Sequence, residues 1–353
     1  MIDRFSISKE WINKVQKTTN TKDPILVEKV IRALMLLEGL TKYKLNFVFK
    51  GGTALMLLLE TRNRLSIDID IIIEGKEFEI DNLLENICSD YDFTHFESNN
   101  RNTINLIDKE HYKLFYKSTI TDNESFILLD ILKENIHYQN IIDIPIDSNF
   151  IKTTLPLIQV KVPDFNNILG DKLTAFAPNT TGIPYKKGDK EMGMEIIKQL
   201  YDIGCIFDYA DNTTIISTVF DKFVTTELNY RKNLHNKTDV IDDIIDTSLE
   251  ICLRGKYGKA DFEILQRGIV QVTSFIFSEK YHIEKAIVSA SKVAYLAAII
   301  KHQLQKIEKY NQIKPNDMKD WKLTATPLIK LNKLKKTNTE AFFYLYKFQE
   351  INY

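Results

Sequence analysis

Apolar positions along the chain follow two regimes, one mixed up to about residue 162 and one helical beyond it. In the first, Val27, Val30, Ile31, Leu34, Leu37 and Leu40 recur mostly at three- and four-residue spacing. With Asp23 as N-cap and Pro24 at the first helical position, they predict a helix over residues 25–43. A short β-like run at 47–49 leads into Lys50-Gly51-Gly52-Thr53 and a helical run over 54–60. Residues 66–73 alternate polar and apolar before becoming wholly apolar, the pattern of a strand with one buried face. A helix over 78–88 and strands over 111–119, 125–131 and 151–160 complete this part.

Beyond Val162-Pro163 the strand signals fade. Helical runs cover 167–177, 191–209, 215–230, 240–253, 262–277, 283–305 and 340–348. The loop 179–190, with Gly182, Pro184, Gly188 and several lysines, has the composition of an exposed connection. The expected architecture is α+β, with a mixed-sheet domain over residues 1–162 and a helical domain over 163–353. The active site is expected in the cleft between them.

Composition adds mainly exclusions. The formal net charge of −1 announces no polyanion partner, so a nucleic acid would have to be met by a local basic patch. Apolar runs such as residues 54–59 are far shorter than the ~20 residues a membrane span needs, and the first residues lack the apolar core of a signal peptide. Cys88, Cys205 and Cys252 stand apart, with no CxxC pair, which fits a reducing cytoplasm better than a disulfide framework or a zinc site. His95, His111, His137, His235, His282 and His302 show no zinc-ligand spacing and read as structural or exposed.

Candidate chemistry gathers between residues 50 and 70. Two residues apart on a strand, Asp68 and Asp70 would project from one face with Cα atoms ~6.6 Å apart. Such a pair can hold Mg²⁺ or a similar hard cation, and through it the phosphates of a nucleoside triphosphate. Gly51 and Gly52, between a strand and a helix start, would let the backbone approach a phosphate, and the hydroxyls of Thr53 and Ser66 would add donors. Alone, an Asp-x-Asp is more often a solvated strand face and a Gly-Gly a plain turn; their combination points to a nucleotide site. Neither GxxxxGK[ST] nor GxGxxG is present.

The order of a Gly-Gly turn, a helix and Asp-x-Asp on a strand resembles the DNA polymerase β-like nucleotidyltransferase superfamily. Within it, three stretches are similar to motifs of the AbiEii/AbiGii toxin family of bacterial abortive-infection and toxin–antitoxin systems. They are Lys50-Gly51-Gly52-Thr53-Ala54-Leu55 with residues 64–70, the run 168–176 around Gly170-Asp171-Lys172, and Lys198-Gln199-Leu200-Tyr201-Asp202-Ile203. The resemblance covers about residues 26–209 and departs at Gln199, where an acid is expected. It implies that Asp68 and Asp70 ligate Mg²⁺ or Mn²⁺, that Lys172 contacts the triphosphate, and that Asp202 lies near that lysine. It further implies a third carboxylate from a neighbouring strand, for which Asp130, the one charge in an apolar strand, is the candidate; Asp122, Glu124 and Glu134 are the alternatives.

Read without the resemblance, Lys198 and Asp202 are a surface i,i+4 ion pair, and Lys172 beside Asp171 is as readily a solvated lysine as a phosphate contact. The cluster Lys330, Lys333, Lys335 and Lys336, like Lys186-Lys187, is either a solvated face or a grip on an RNA backbone. The expected activity is metal-dependent transfer of a nucleoside monophosphate from an NTP to an acceptor hydroxyl, with RNA, in particular the tRNA 3′ end, as the leading acceptor. The resemblance implies a cytoplasmic toxin with a cognate antitoxin encoded nearby and a role in phage defence. The alternatives are nucleotidylation of a protein hydroxyl and a nucleotide-binding regulator without turnover.

Overall fold

The computed structural model describes residues 1–19, 21, 23–59, 64–75, 80–98, 109–231 and 234–353. The chain divides into two compact units. The first takes Met1–Asp164 together with Ser274–Glu279; the second takes Phe165–Thr273 and Lys280–Tyr353.

The first unit runs α1 (Lys9–Thr19), α2 (Pro24–Lys42), β1 (Val48–Lys50), α3 (Gly51–Leu58), β2 (Ile69–Ile73), α4 (Asp81–Asp90), β3 (His95–Ser98), β4 (Lys109–Lys117), β5 (Glu124–Lys133), β6 (Ile141–Pro145) and β7 (Gln159–Pro163). Five strands form a mixed sheet in the order β1-β2-β5-β4-β3, with β2 and β5 parallel and the other neighbours antiparallel. β6 and β7 form a separate antiparallel pair. Helix α2 starts as its sequence predicts: Asp23 caps it by accepting from the Ile25 N–H at 2.8 Å, and Pro24 needs no hydrogen bond there. Its apolar stripe is buried in the core that one face of the sheet supplies: Ile69, Ile71 and Ile73 from β2, Tyr112, Leu114 and Tyr116 from β4, and Ile127, Leu129 and Ile131 from β5. Strand alternation turns Asp70, Asp130 and His111 to the opposite face.

The β4–β5 turn is tied to α2 by a buried carboxylate. Glu28 accepts from the Ser118 hydroxyl at 2.7 Å and from the Thr119 N–H at 2.8 Å, bonds that offset the cost of burying a charge. The turn closes with the Ser118 N–H donating to the Asn123 carbonyl at 2.9 Å, and the register that follows sets Lys117 against Glu124 and His111 against Asp130.

Several expected boundaries shift. The strand expected over 66–73 begins at Ile69, so Asp68 sits one residue before it. The helix expected from Ala54 begins at Gly51, and its expected end, Glu60, lies outside the described residues, as does Phe78, the expected start of α4. The strand expected over 151–160 reduces to β7, because Pro156 offers no N–H to a ladder.

The second unit is helical: α5 (Phe165–Ala175), α6 (Gly193–Ile206), α7 (Thr213–Arg231), α8 (Lys237–Cys252), α9 (Phe262–Val272), α10 (Ile283–Lys301), α11 (Leu334–Thr337) and α12 (Thr339–Asn352). A two-stranded hairpin, β8 (Lys186–Lys187) with β9 (Lys190–Glu191), interrupts them. The apolar α10 packs against α6, α8 and α12. The helix expected over 262–277 stops at Val272, because the next residues leave for the first unit. There the Leu65 N–H donates to the Phe275 carbonyl at 2.8 Å, Arg64 bridges Ile276, and Phe277 meets Phe150 edge-on at 5.6 Å. No helix among the described residues is long and apolar enough to cross a membrane.

Candidate active site

Four side chains line up across four adjacent strands of the sheet. Lys50 of β1 is paired with Asp70 of β2, Asp70 with Asp130 of β5, and Asp130 with His111 of β4. Neighbouring strands run ~4.8 Å apart. The two carboxylates, direct register partners on adjacent strands, therefore oppose each other in a way that is unfavourable unless a cation offsets it.

The glycines stand against this row. Gly51 has φ +79°, a conformation that side-chain-bearing residues rarely adopt, and a Cβ placed on it would fall 2.0 Å from Asp70 Oδ2. A Cβ on Gly52 would fall 2.6 Å from Ser66 Oγ. The pair is thus needed for space as much as for turn geometry: α3 begins where its backbone touches Asp70 and Ser66. The Thr53 hydroxyl donates to the Asp68 carbonyl at 2.7 Å, fastening the segment before β2 to α3. A hydroxyl has one proton to donate, so Thr53 holds that segment and its O–H is not offered to a phosphate.

Asp130 Oδ1 lies 2.7 Å from His111 Nδ1. A carboxylate only accepts, so Nδ1 carries the proton and donates. The two side chains are 40% and 27% exposed, open enough to meet a ligand. On the other face of the sheet, Lys133 of β5 is paired with Glu110, whose other oxygen accepts from the Tyr112 hydroxyl at 3.2 Å.

The other two motifs meet inside the helical unit. Lys172 of α5 donates to Asp202 Oδ2 of α6 at 2.8 Å and to Gln199 Oε1 at 3.2 Å, with the paired side chains only 8% and 5% exposed. Asp202 is therefore buried with Lys172, and the picture of a solvated surface pair with Lys198 does not hold for it. Gln199, where an acid was expected, supplies a neutral oxygen to the same ammonium.

The two lysine clusters lie on the surface of the helical unit. Lys330, Lys333 and Lys336 are exposed and alternate at three-residue spacing with the buried Leu328, Leu331 and Leu334, whereas Lys335 turns back to donate to the Trp321 carbonyl at 3.0 Å. Lys186 and Lys187 are exposed on β8.

The donor set suits a hard divalent cation: Asp70 and Asp130 side by side, with Asp68 two residues before Asp70. Among the described residues no group of three or more His, Cys, Asp and Glu side chains is already gathered at ligand distance.

His111, read from the sequence as structural or exposed, is brought by the structure against Asp130. Its signal was available in the hairpin: a turn centred between Ile120 and Thr121 carries the pairing Lys117–Glu124 back to His111–Asp130.

Residues 35–268 match the family described as "Nucleotidyl transferase AbiEii toxin, Type IV TA system". A search of curated proteins gives no match. Among solved structures, JHP933 from Helicobacter pylori aligns at a TM-score of 0.40 and 14% identity, covering 78% of this chain and 91% of that one. A second H. pylori structure, named for an expected nucleotidyltransferase activity, aligns at 0.40 and 15%, covering 79% and 94%.

Proposed function

The chain belongs to the AbiEii nucleotidyltransferase toxin family, and on that premise we propose that it transfers a nucleoside monophosphate from an NTP to a hydroxyl of RNA, with the tRNA 3′ end as acceptor. The acceptor oxygen bonds to the α-phosphorus, the bond from that phosphorus to the bridging oxygen breaks, and pyrophosphate leaves. The observation that carries this reading is the register of Asp70 beside Asp130 with the Gly51 backbone packed against Asp70.

Asp68, Asp70 and Asp130 are the residues to hold Mg²⁺ or Mn²⁺ in this reading. A bound divalent cation would offset charge on the phosphates and on the attacking oxygen. Asp130 takes the proton of the acceptor hydroxyl, at the oxygen not occupied by His111. The N–H groups at the start of α3, from Gly51 and Gly52, and the Ser66 hydroxyl face the phosphates. By the family resemblance Lys172, which Asp202 and Gln199 hold, is the candidate cation for the triphosphate. The exposed Lys330, Lys333 and Lys336 engage the RNA backbone. As a toxin-family member, the protein is expected to be neutralised by an antitoxin encoded beside it.

The test incubates the purified protein with Mg²⁺, each NTP labelled at its α-phosphate in turn, and bulk cellular RNA, with Asp70→Ala as control. Label in tRNA-sized RNA with the wild type alone is the expected result and identifies the base. Label on protein would overturn the RNA acceptor in favour of protein nucleotidylation. NTP binding with no label on either would overturn transfer itself.

A further inference from the structure

We propose that His111 is a positioning residue for Asp130, holding one carboxylate oxygen so that the other is presented toward Asp70. The inference deepens the nucleotidyl-transfer reading and rests on it. Its basis is the geometry of the sheet row. β4 and β2 flank β5 on opposite sides, and Asp130 has a register partner on each: His111 on β4 and Asp70 on β2. The two oxygens of a carboxylate diverge from one carbon. With Oδ1 held 2.7 Å from His111 Nδ1 on the β4 side, Oδ2 is the oxygen left to the β2 side, where Asp70 stands.

Stability alone does not account for this contact. Asp130 is 40% exposed, so water could satisfy it, and an exposed pair of this kind contributes only ~0–1 kcal/mol. Left to itself, Asp130 would turn away from the like charge of Asp70, toward solvent. The His111 bond opposes that turn, and His111 is in turn held by its strand: Tyr112 and Leu114, its neighbours on β4, are buried in the core, and Glu28 pins the β4–β5 turn. The register is therefore built into the hairpin, and the donor arrives opposite Asp130 whether or not a ligand is present. A neutral imidazole suffices for the role, because only the Nδ1–H is used.

The chemistry of the donor separates this role from general packing. Asparagine carries an amide N–H close to where Nδ1–H stands in histidine, whereas alanine carries none. Partners that orient a metal-ligating or catalytic group characteristically contribute ~10–100-fold to metal affinity or activity when removed.

The experiment compares His111→Ala, His111→Asn and Asp130→Asn with the wild type in the transfer assay, in Mn²⁺ binding followed by electron paramagnetic resonance, and in thermal unfolding. For His111→Ala we expect kcat and Mn²⁺ affinity each to fall ~10–100-fold, with the KM for NTP and the melting temperature nearly unchanged. His111→Asn is expected to recover most of both losses. Equal loss in the Ala and Asn variants, or a loss that follows the melting temperature, would overturn the positioning role. Wild-type kcat and Mn²⁺ affinity in His111→Ala, with Asp130→Asn inactive, would sink this inference and leave the reading of the site standing. An Asp130→Asn protein with full activity and Mn²⁺ affinity would sink both. The Mn²⁺ measurement decides the question even if the acceptor proves to be something other than RNA.

Discussion

Placing a single methyl group on Gly51 tests the site at its tightest point. Gly51→Ala imposes φ +79° on a residue with a Cβ, at a cost of ~1–2 kcal/mol. The new Cβ would stand 2.0 Å from Asp70 Oδ2. An ordinary contact is ~3.5 Å or more, so the carboxylate must move by more than ~1 Å. That movement costs little energy, since the tip of a side chain yields, but a displacement of ~1 Å at a reacting centre can cost ~100-fold in rate. The expected outcome is a fall in kcat of about 100-fold, equivalent to ~2.7 kcal/mol in the barrier, alongside a stability loss of only ~1–2 kcal/mol. Gly75→Ala is the control in the same unit: its φ is +103°, and among the described residues nothing lies within 4 Å of the added carbon. It should match or exceed the stability loss and keep the activity. The assay pairs label transfer from α-labelled NTP with urea unfolding of each variant. A Gly51→Ala protein with wild-type kcat would refute the placement of Asp70 at the chemistry, and equal activity losses in both variants would reduce the effect to backbone strain.

Further expectations concern the helical unit. Lys172→Ala strands the buried Asp202 carboxylate and should cost ~3–5 kcal/mol in urea unfolding; in Lys172→Met/Asp202→Leu stability should largely return, yet transfer activity should not. Activity returning with stability would show the pair to be purely structural. Burial pushes the Lys309 ammonium down to about 8. The unfolded chain, with an ordinary lysine value of ~10.4, then binds the proton more readily, so this burden on stability is full below pH ~8 and fades as the pH rises toward ~10.4. Lys309→Met should therefore be more stable at pH 7 by ~1–2 kcal/mol, discounted because the amine is partly wet, and the gain should shrink by pH 10; a gain independent of pH would contradict the assignment. Replacing Lys330, Lys333 and Lys336 together with Gln should weaken RNA binding and flatten its salt dependence by about three phosphate contacts, while leaving transfer to a short acceptor unchanged. An unaltered salt slope would return them to a solvated face.

Where a stretch is amphipathic, the chain announces its own structure. The paired strands β4 and β5 appear in the apolar pattern because each buries one face, and helix α2 appears through its capped start and the spacing of its apolar residues, although it is buried nearly all round from Val30 to Leu40. Strands β3 and β6 do not, since they are mostly exposed and carry no alternation to read. The candidate site was legible as composition, in Gly51, Gly52 and the aspartates, but its arrangement was not. That arrangement depends on β2 and β5 running parallel in register, a long-range pairing no local spacing encodes. Asp202 illustrates the same limit from the other side: four residues from Lys198 on one helix it reads as a surface pair, and only the packing of α5 against α6 reveals Lys172 as its buried partner.

The six residues Ser274–Glu279 carry a consequence for how the protein comes into being. The first unit is otherwise complete at Asp164, yet the backbone entering the Ser66–Asp70 segment is tied down by Phe275 and Ile276. Synthesis runs from the N-terminus at ~5–20 residues per second, so roughly 5–20 seconds separate the emergence of the sheet from that of its last fastening. Through that interval the nascent polypeptide holds its glycines and aspartates without the clasp beside them. A ribosome that stalls within the helical region, or a protease that trims it, releases a fragment lacking that clasp. Late completion of this kind makes the fastening of the Ser66–Asp70 segment a property only of chains that extend past Ile276.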